Sequence, residues 1–494
     1  MGEKTNYTDF LAFRPRIRLT AVCNRKCCYC FAKDYLSERS NRDEIDLKSM
    51  EKILSMCEAE KIECIGWQGG EPTLHSKIYE IIKLHKKHKI KAVIFTNGLI
   101  AKETILNLSE IVDSVLVNCN EPQTYSDDEL AQLLENIQLM QETYGKEKVA
   151  IGLNIYSDKM DTTFIIDYAL RTKINEVRID ITRPAPSNEN FFIDYNDINR
   201  TFNLAKKTHQ MLLKNNVKYV HFDCPFPFCA ISDENVRYVS NYISGDLGQG
   251  QCSTALDITQ NAQIASCFCS VMFNNISYEK FDSLTHAWLF IKYIEDELKW
   301  NVYTKDSCKV CENNKRRLCQ GGCLGYKTIA NRVIDGASLS DFNLLYDISK
   351  EISKLYISYK NGDFCKCYEK SCELLNKDEY KNSMAIKEIM LLSSVGIVRD
   401  RKILDEIEIL VTTSYYPAIE ALICASVLAE NKQLDYAIHI AEVGIECEKN
   451  INKFRLHYFL YKAYKKKKMI NESNLHLISY YKLSPDYTKK RELL

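Results

Sequence analysis

Cys23, Cys27 and Cys30 stand in a C-x-x-x-C-x-x-C pattern within Cys23-Asn24-Arg25-Lys26-Cys27-Cys28-Tyr29-Cys30. Just before them, Arg16-Ile17-Arg18-Leu19-Thr20-Ala21-Val22 has the character of a short strand. A loop leaving a strand can fold three thiolates around one face of an iron–sulfur cube, each Cys holding one iron. The fourth iron then has no protein ligand and stays open to a small molecule. Zinc suits the pattern poorly, because a structural zinc takes four ligands and the pattern supplies three. Cys28 lies outside it and reads as a bystander.

Further candidates fall at the ends of short apolar runs. Lys61-Ile-Glu-Cys-Ile-Gly-Trp67 reads as a buried strand and ends in Gln68-Gly69-Gly70-Glu71-Pro72. The glycines let backbone carbonyls come close to a ligand ammonium, and a carboxylate there suits a positive charge. Thr96-Asn97-Gly98 closes the next run, Lys91–Thr96, and is equally an ordinary turn signal. Asn118 and Asn120 end a fourth strand-like segment and Asn154 a fifth. Arg183, after a sixth, would grip a carboxylate if it faced the same mouth, although a loop arginine is more often exposed.

A second set of cysteines follows. Fourteen residues separate Cys252 from Cys267, Cys308 and Cys311 form C-x-x-C, and Cys319-Gln-Gly-Gly-Cys323 follows after seven more. Cys308, Cys311, Cys319 and Cys323 would also make a complete tetrahedral zinc set.

The elements that must hold these residues alternate. Helical spacing in Ile45–Cys57, Ser76–Lys87, Asp127–Thr143, Asp161–Arg171 and Asp194–Lys214 separates the strand-like runs, giving six β/α units between about residues 14 and 215. Such alternation argues for parallel β/α units closed or partly closed into a barrel, with the chemistry at the carboxyl ends of the strands. Each candidate in this half sits at such an end.

The cysteine loop, Tyr29 before its last Cys, the Gly69-Gly70-Glu71-Pro72 loop and Thr96-Asn97-Gly98 together resemble the radical S-adenosylmethionine (radical SAM) superfamily. The resemblance implies a partial (β/α)6 barrel of the TIM type over residues 1–215. It implies a [4Fe–4S] cluster on Cys23, Cys27 and Cys30 whose open iron chelates SAM and cleaves it to a 5′-deoxyadenosyl radical. Gly69, Gly70, Glu71, Thr96, Asn97, Asn118, Asn154 and Arg183 are the residues it would place around SAM. The fourth strand departs from the family, reading Asn118-Cys119-Asn120-Glu121-Pro122.

The second cysteine set resembles the SPASM or twitch region of this superfamily, over residues 216–340, which carries one or two auxiliary [4Fe–4S] clusters. The resemblance implies Cys252, Cys267 and Cys323 on the first and Cys308, Cys311 and Cys319 on the second. The last ligand of the second is missing from its usual place, since no Cys lies between Cys323 and Cys365. Asp335, Asp341 or Cys365 are candidates to replace it, or that iron stays open. Cys224-Pro-Phe-Pro-Phe-Cys229 could supply a fourth ligand to the first cluster, and Cys269 competes with Cys267.

From about residue 341 to 494 the pattern is helical, with helix starts at Asn361-Gly-Asp-Phe364, Gln433-Leu-Asp-Tyr436 and Ile470-Asn471-Glu472 near a 36-residue period. That is close to tetratricopeptide (TPR) length, and a stack of helix pairs suits a peptide or protein partner. Lys plus Arg and Asp plus Glu each total 66, so net charge is zero and nothing favours nucleic acid or membrane as a partner. No apolar run has transmembrane length and the polar start lacks a signal core. Twenty-one cysteines in a chain expected to be cytoplasmic point to metal ligation rather than disulfides.

The expected function is therefore radical SAM chemistry of the oxidoreductase or peptide-maturase kind. Its expected substrate is a ribosomally made peptide that is crosslinked, epimerised or oxidised, with flavodoxin or ferredoxin as reductant. The cluster loop starts too early for a preceding leader-binding module, which leaves the helical tail to hold the peptide. Phe268 stands where sulfatase-maturing relatives place an acidic base. A small molecule or sugar intermediate is the alternative substrate, and a zinc- or cluster-containing scaffold is the alternative of another class. No acid–base residue stands out.

Overall fold

The computed structural model describes residues 13–36, 43–242, 252, 254–268, 272–299, 305–311, 314, 319–327, 333–335, 342–377 and, with interruptions, 380–483. Its centre is a run of parallel strands joined by helices: β1 (Arg16–Thr20), α1 (Leu47–Ala59), β2 (Cys64–Gly69), α2 (Ile78–His88), β3 (Lys91–Thr96), α3 (Lys102–Leu108), β4 (Val112–Cys119), α4 (Asp127–Tyr144), β5 (Val149–Ile155), α5 (Thr163–Thr172), β6 (Glu176–Ile181), α6 (Ile198–Lys214) and β7 (Tyr219–Phe222). Each strand pairs in parallel with the next.

Local chemistry starts the helices where the sequence does. The Asp46 carboxylate accepts from the Ser49 N–H at 2.8 Å ahead of α1. Ser126 and Glu129 form a reciprocal capping box ahead of α4.

Alternate strand residues face opposite ways. One set, including Ile17, Ile65, Trp67, Ile94, Val117, Ile151 and Ile179, is fully buried, as in a parallel sheet covered by its own connecting helices. The other set is polar and runs in step across the ladder, Arg18 beside Gln68 and Asn154 beside Asp180. That polar face is the one available for chemistry.

The sequence pattern predicts six units ending near residue 215, whereas β7 adds a seventh parallel strand whose few residues are too short a run to show periodicity. The sheet also continues past β1. β8 (Asp257–Ile258) pairs in parallel with β1, and β9 (Gln263–Ala265), β10 (Met272–Ser277) and β11 (Val333–Asp335) extend it. Asp257 fastens this extension, with Arg16 Nε at 2.6 Å, Arg18 Nη2 at 3.1 Å and Gln68 Nε2 at 2.8 Å.

Residues 13–237 and 244–345 form one compact unit, and a second consists mainly of residues 346–494. In the second, helices Pro417–Glu430 and Lys453–Lys466 start 36 residues apart, as do Leu434–Cys447 and Ile470–Leu483. This is the spacing of a helix-pair repeat. Ala421, Cys424, Ala425, Leu428, Ala437, Ala441, Leu456 and Leu460 close their core. Cys367 and Cys424 are buried packing thiols of this unit. No helix among the described residues is long and apolar enough to cross a membrane.

Candidate active site

Cys23, Cys27 and Cys30 sit on the loop leaving β1, turned by a Cys30 N–H bond to the Cys27 carbonyl at 3.1 Å. The loop's near end is clamped to the one leaving β2. Gly70 N–H donates to Thr20 O and Glu71 N–H to Val22 O, each at 2.8 Å. A Cβ on Gly69 would lie 2.3 Å from Thr20 O, and one on Gly70 would lie 2.3 Å from Val22 O. Gly69 also has φ +140°, a conformation few side chains tolerate. The glycine pair thus allows two backbones to touch.

Glu71 makes a second clamp. Its carboxylate is fully buried and accepts from Thr73 Oγ1 at 2.6 Å, Thr96 Oγ1 at 2.9 Å and Asn97 N–H at 2.8 Å. Burial raises its pKa and these donors oppose the rise. Glu71 and Thr96 therefore button the β2 loop to the β3 loop, and their side chains are spent on each other. Asn97 is then positioned to touch the cysteine loop, its Nδ2 lying 2.6 Å from Asn24 Oδ1 and 4.0 Å from Cys23 Sγ.

Two of the three sulfurs receive an N–H: Arg25 N–H is 3.4 Å from Cys23 Sγ and Asn120 Nδ2 is 3.6 Å from Cys27 Sγ. Burial lifts the Cys23 thiol to about 11 and the Cys30 thiol to about 12. Binding a cation there must release protons, as metal loading of thiols does. Among the described residues no three thiols lie within 4.8 Å of one another. A tetrahedral zinc with 2.3 Å bonds would draw its sulfurs to about 3.8 Å. Three spaced thiols with N–H donors on two of their sulfurs fit a [4Fe–4S] cube, whose ligands bind separate irons.

Asn118 and Asn154 form a ladder toward the loop. Asn154 Nδ2 donates to Asn118 Oδ1, and Asn118 Nδ2 donates to Tyr29 Oη at 2.8 Å. Tyr29 is buried, bonded to Asn120 Oδ1 and stacked on Tyr156 at 5.6 Å between centroids. Asn120 ends the fourth strand-like segment with Asn118, yet only the folded chain reveals its reach to Cys27. Tyr156 and Asn190, whose Nδ2 donates to Tyr29 O at 2.9 Å, carried no sequence signal.

Arg183 is not an exposed loop residue. It is 1% exposed and donates to Ile181 O and to Cys224 O at 2.8 Å. Beside it, burial raises the Asp180 carboxyl to about 6 even with Arg183 near. Asp180 is a buried acid on the polar face that the run Arg178-Ile-Asp-Ile-Thr-Arg183 does not advertise. A cavity of ≈ 390 Å³ is lined by Val93, Phe95, Leu116, Arg178 and His221.

The later cysteines separate into two sets. Cys267 packs against the buried cluster of Cys323 and Tyr326, and both Cys267 and Cys323 act on the Cys252 thiol, which burial raises. Cys308 and Cys319 meet at Gly321, whose N–H is 3.4 Å from Cys319 Sγ and whose Cβ position is 3.3 Å from Cys308 Sγ. Cys311 N–H bonds to Cys308 O at 3.0 Å. Cys269, Asp341 and the side chain of Asp335 lie outside the described residues.

Residues 17–168 match the Radical SAM superfamily, a span covering β1 through most of α5 and all three thiols. The chain carries a radical SAM domain. Among curated proteins, the domain is 38% identical over 95 residues to a candidate glycyl-radical enzyme activating enzyme of Methanocaldococcus jannaschii, covering 19% of this chain and 36% of that protein. It is 31% identical over 97 residues to a GTP 3′,8-cyclase of Clostridium perfringens, covering 19% and 30%. The match thus spans about a third of these relatives' lengths. Among solved structures, Streptococcus suis SuiB bound to S-adenosylmethionine is similar at TM-score 0.47 and 18% identity, covering 64% of this chain and 74% of that one. The radical SAM domain implies a [4Fe–4S] cluster and SAM, and Cys23, Cys27 and Cys30 have the donor chemistry for the cluster.

Proposed function

We propose that this protein is a radical SAM enzyme that cleaves S-adenosylmethionine reductively and removes a hydrogen atom from a peptide, leading to a crosslink, epimerisation or oxidation. The cluster with SAM supplies the 5′-deoxyadenosyl radical; the protein supplies position. Cys23, Cys27 and Cys30 hold three irons, and the Asn97, Asn120 and Arg25 donors stabilise negative charge on the sulfurs. Asn118, Asn154 and Tyr29 set the mouth of the polar face where SAM and substrate meet. Gly69, Gly70, Glu71 and Thr96 keep the loops after β1, β2 and β3 in register, and Arg183 braces the far side. The single observation carrying this reading is the three-thiol loop within the matched residues 17–168, with N–H donors on the Cys23 and Cys27 sulfurs.

The peptide substrate is supported by the cysteine pattern after residue 216, which resembles peptide-modifying members of the superfamily. Auxiliary [4Fe–4S] clusters on the two later cysteine sets would accept the electron left after hydrogen abstraction. Flavodoxin or ferredoxin is the proposed reductant.

The test is anaerobic purification and reconstitution, iron and sulfide counting, and a 5′-deoxyadenosine assay with dithionite. About twelve irons per chain and deoxyadenosine formation are expected, with about four irons and all deoxyadenosine lost in the triple Cys23/Cys27/Cys30→Ala protein. Deoxyadenosine formation surviving that substitution would sink the enzyme reading.

A further inference from the structure

The hexapeptide Cys224-Pro-Phe-Pro-Phe-Cys229 carries two thiols at fixed separation beside both later cysteine sets. Its first end is held by Arg183, which donates to Cys224 O at 2.8 Å, and Cys224 takes φ 56° to turn the chain. Phe226 and Pro227 are buried, and Pro227 Cδ would lie 2.8 Å from a Cβ on Gly322, inside the Cys319–Cys323 turn. The loop therefore packs directly on that turn, and Gly322 is the residue that permits it.

The two ends face different partners. Burial raises the Cys224 thiol, with Asp223 and Asp180, whose carboxylates lie within 4.8 Å of its sulfur, adding to the rise and Cys252 adding less; both Cys224 and Cys323 act on Arg183. At the other end Cys229 is in electrostatic reach of Cys308, Cys311 and Cys319. Cys229, Cys308, Cys311 and Cys319 all carry free thiols. Cys365, the replacement the sequence offers, is an exposed residue of the helix Phe364–Leu375 in the second compact unit.

We propose that this loop divides its thiols between two auxiliary clusters: Cys224 completes the set Cys252, Cys267 and Cys323, and Cys229 completes the set Cys308, Cys311 and Cys319. Cys229 thus supplies, from upstream in the chain, the ligand missing between Cys323 and Cys365. Both sets then have four thiolates, the usual complement of a closed [4Fe–4S] cluster. The two rigid prolines fix the spacing of the two clusters through six residues of chain. This inference rests on the auxiliary-cluster part of the proposed function and is independent of SAM cleavage.

The test uses the full chain with Cys23, Cys27 and Cys30 replaced by Ala, so that only auxiliary iron is counted. That protein is expected to hold about eight irons. Adding Cys229→Ala should lower the count or convert one of two reduced-state electron paramagnetic resonance signals, leaving the other. Cys224→Ala should alter the other signal, and Cys365→Ala neither. Circular dichroism checks folding, and Cys229 is exposed, so its truncation leaves the core intact. Unchanged iron and both signals intact after Cys229→Ala, or a loss on Cys365→Ala instead, would overturn the proposal and leave SAM cleavage untouched. Zinc or no metal in the parent would remove the auxiliary clusters altogether.

Discussion

Cys27 and its neighbour Asn120 show how a single amide can set the chemistry of a thiolate. Asn120 Nδ2 lies 3.6 Å from Cys27 Sγ, and hydrogen bonds to ligand sulfurs favour the reduced, more negative cluster. Asn120→Ala is therefore expected to shift the reduction potential of the loaded domain downward by tens of millivolts, read by potentiometric titration. An unchanged potential would mean that this contact does not tune the site. Glu71 gives a stability prediction. Glu71→Ala leaves the buried Asn97 N–H and two threonine hydroxyls without their acceptor, costing about 1–3 kcal/mol. Glu71→Gln keeps one acceptor oxygen and should lose less, both measured by denaturant unfolding. The positions of these residues were legible in the sequence, because thiol spacing and strand ends are one-dimensional facts. Their partners were not. That Glu71 bonds Thr96 and Asn97, or that Arg183 turns inward to Cys224, depends on which loops the sheet order brings side by side.

At the scale of elements, the α/β rhythm was legible because each strand and helix has its own period, while β7 and the β8–β11 extension escaped it. Strands of two to six residues in a cysteine-rich stretch have too few repeats to show a period. The packing of α2 on β2 carries a pH dependence. Trp67 Nε1–H donates to His85 Nε2 at 3.0 Å, and His85 Nδ1 lies 2.8 Å from Ile90 O, so the neutral tautomer with its proton on Nδ1 satisfies both. Burial lowers the His85 pKa from 6.5 to about 4. The folded state then binds fewer protons than the unfolded chain between these values, so stability is whole above pH 6.5 and falls as pH drops toward 4. The loss is about 3 kcal/mol from His85. His209 on α6, also lowered to about 4 by burial, adds a loss in the same window. His85→Gln, which keeps a donor and an acceptor but does not titrate, should unfold with a shallower pH slope between 6.5 and 4. Equal slopes in the two proteins would reject a titrating role for His85.

For the whole molecule, two units with separate cores imply two separately adjustable stabilities. Residues 13–237 and 244–345 hold all the cysteines proposed above as cluster ligands, so iron binding is expected to stabilise this unit by mass action on its folded form. The helical unit has its own core, with Leu456 and Leu460 fully buried among Ala425, Leu428 and Ala441. Leu460→Ala should cost that unit about 2–5 kcal/mol, the range for a truncated core leucine. Calorimetry of the reconstituted protein is therefore expected to show two transitions. Chelating the iron should lower one and leave the other in place, and Leu460→Ala should lower the second while iron content and the first stay unchanged. Should both treatments move a single common transition, the two cores would be one cooperative structure.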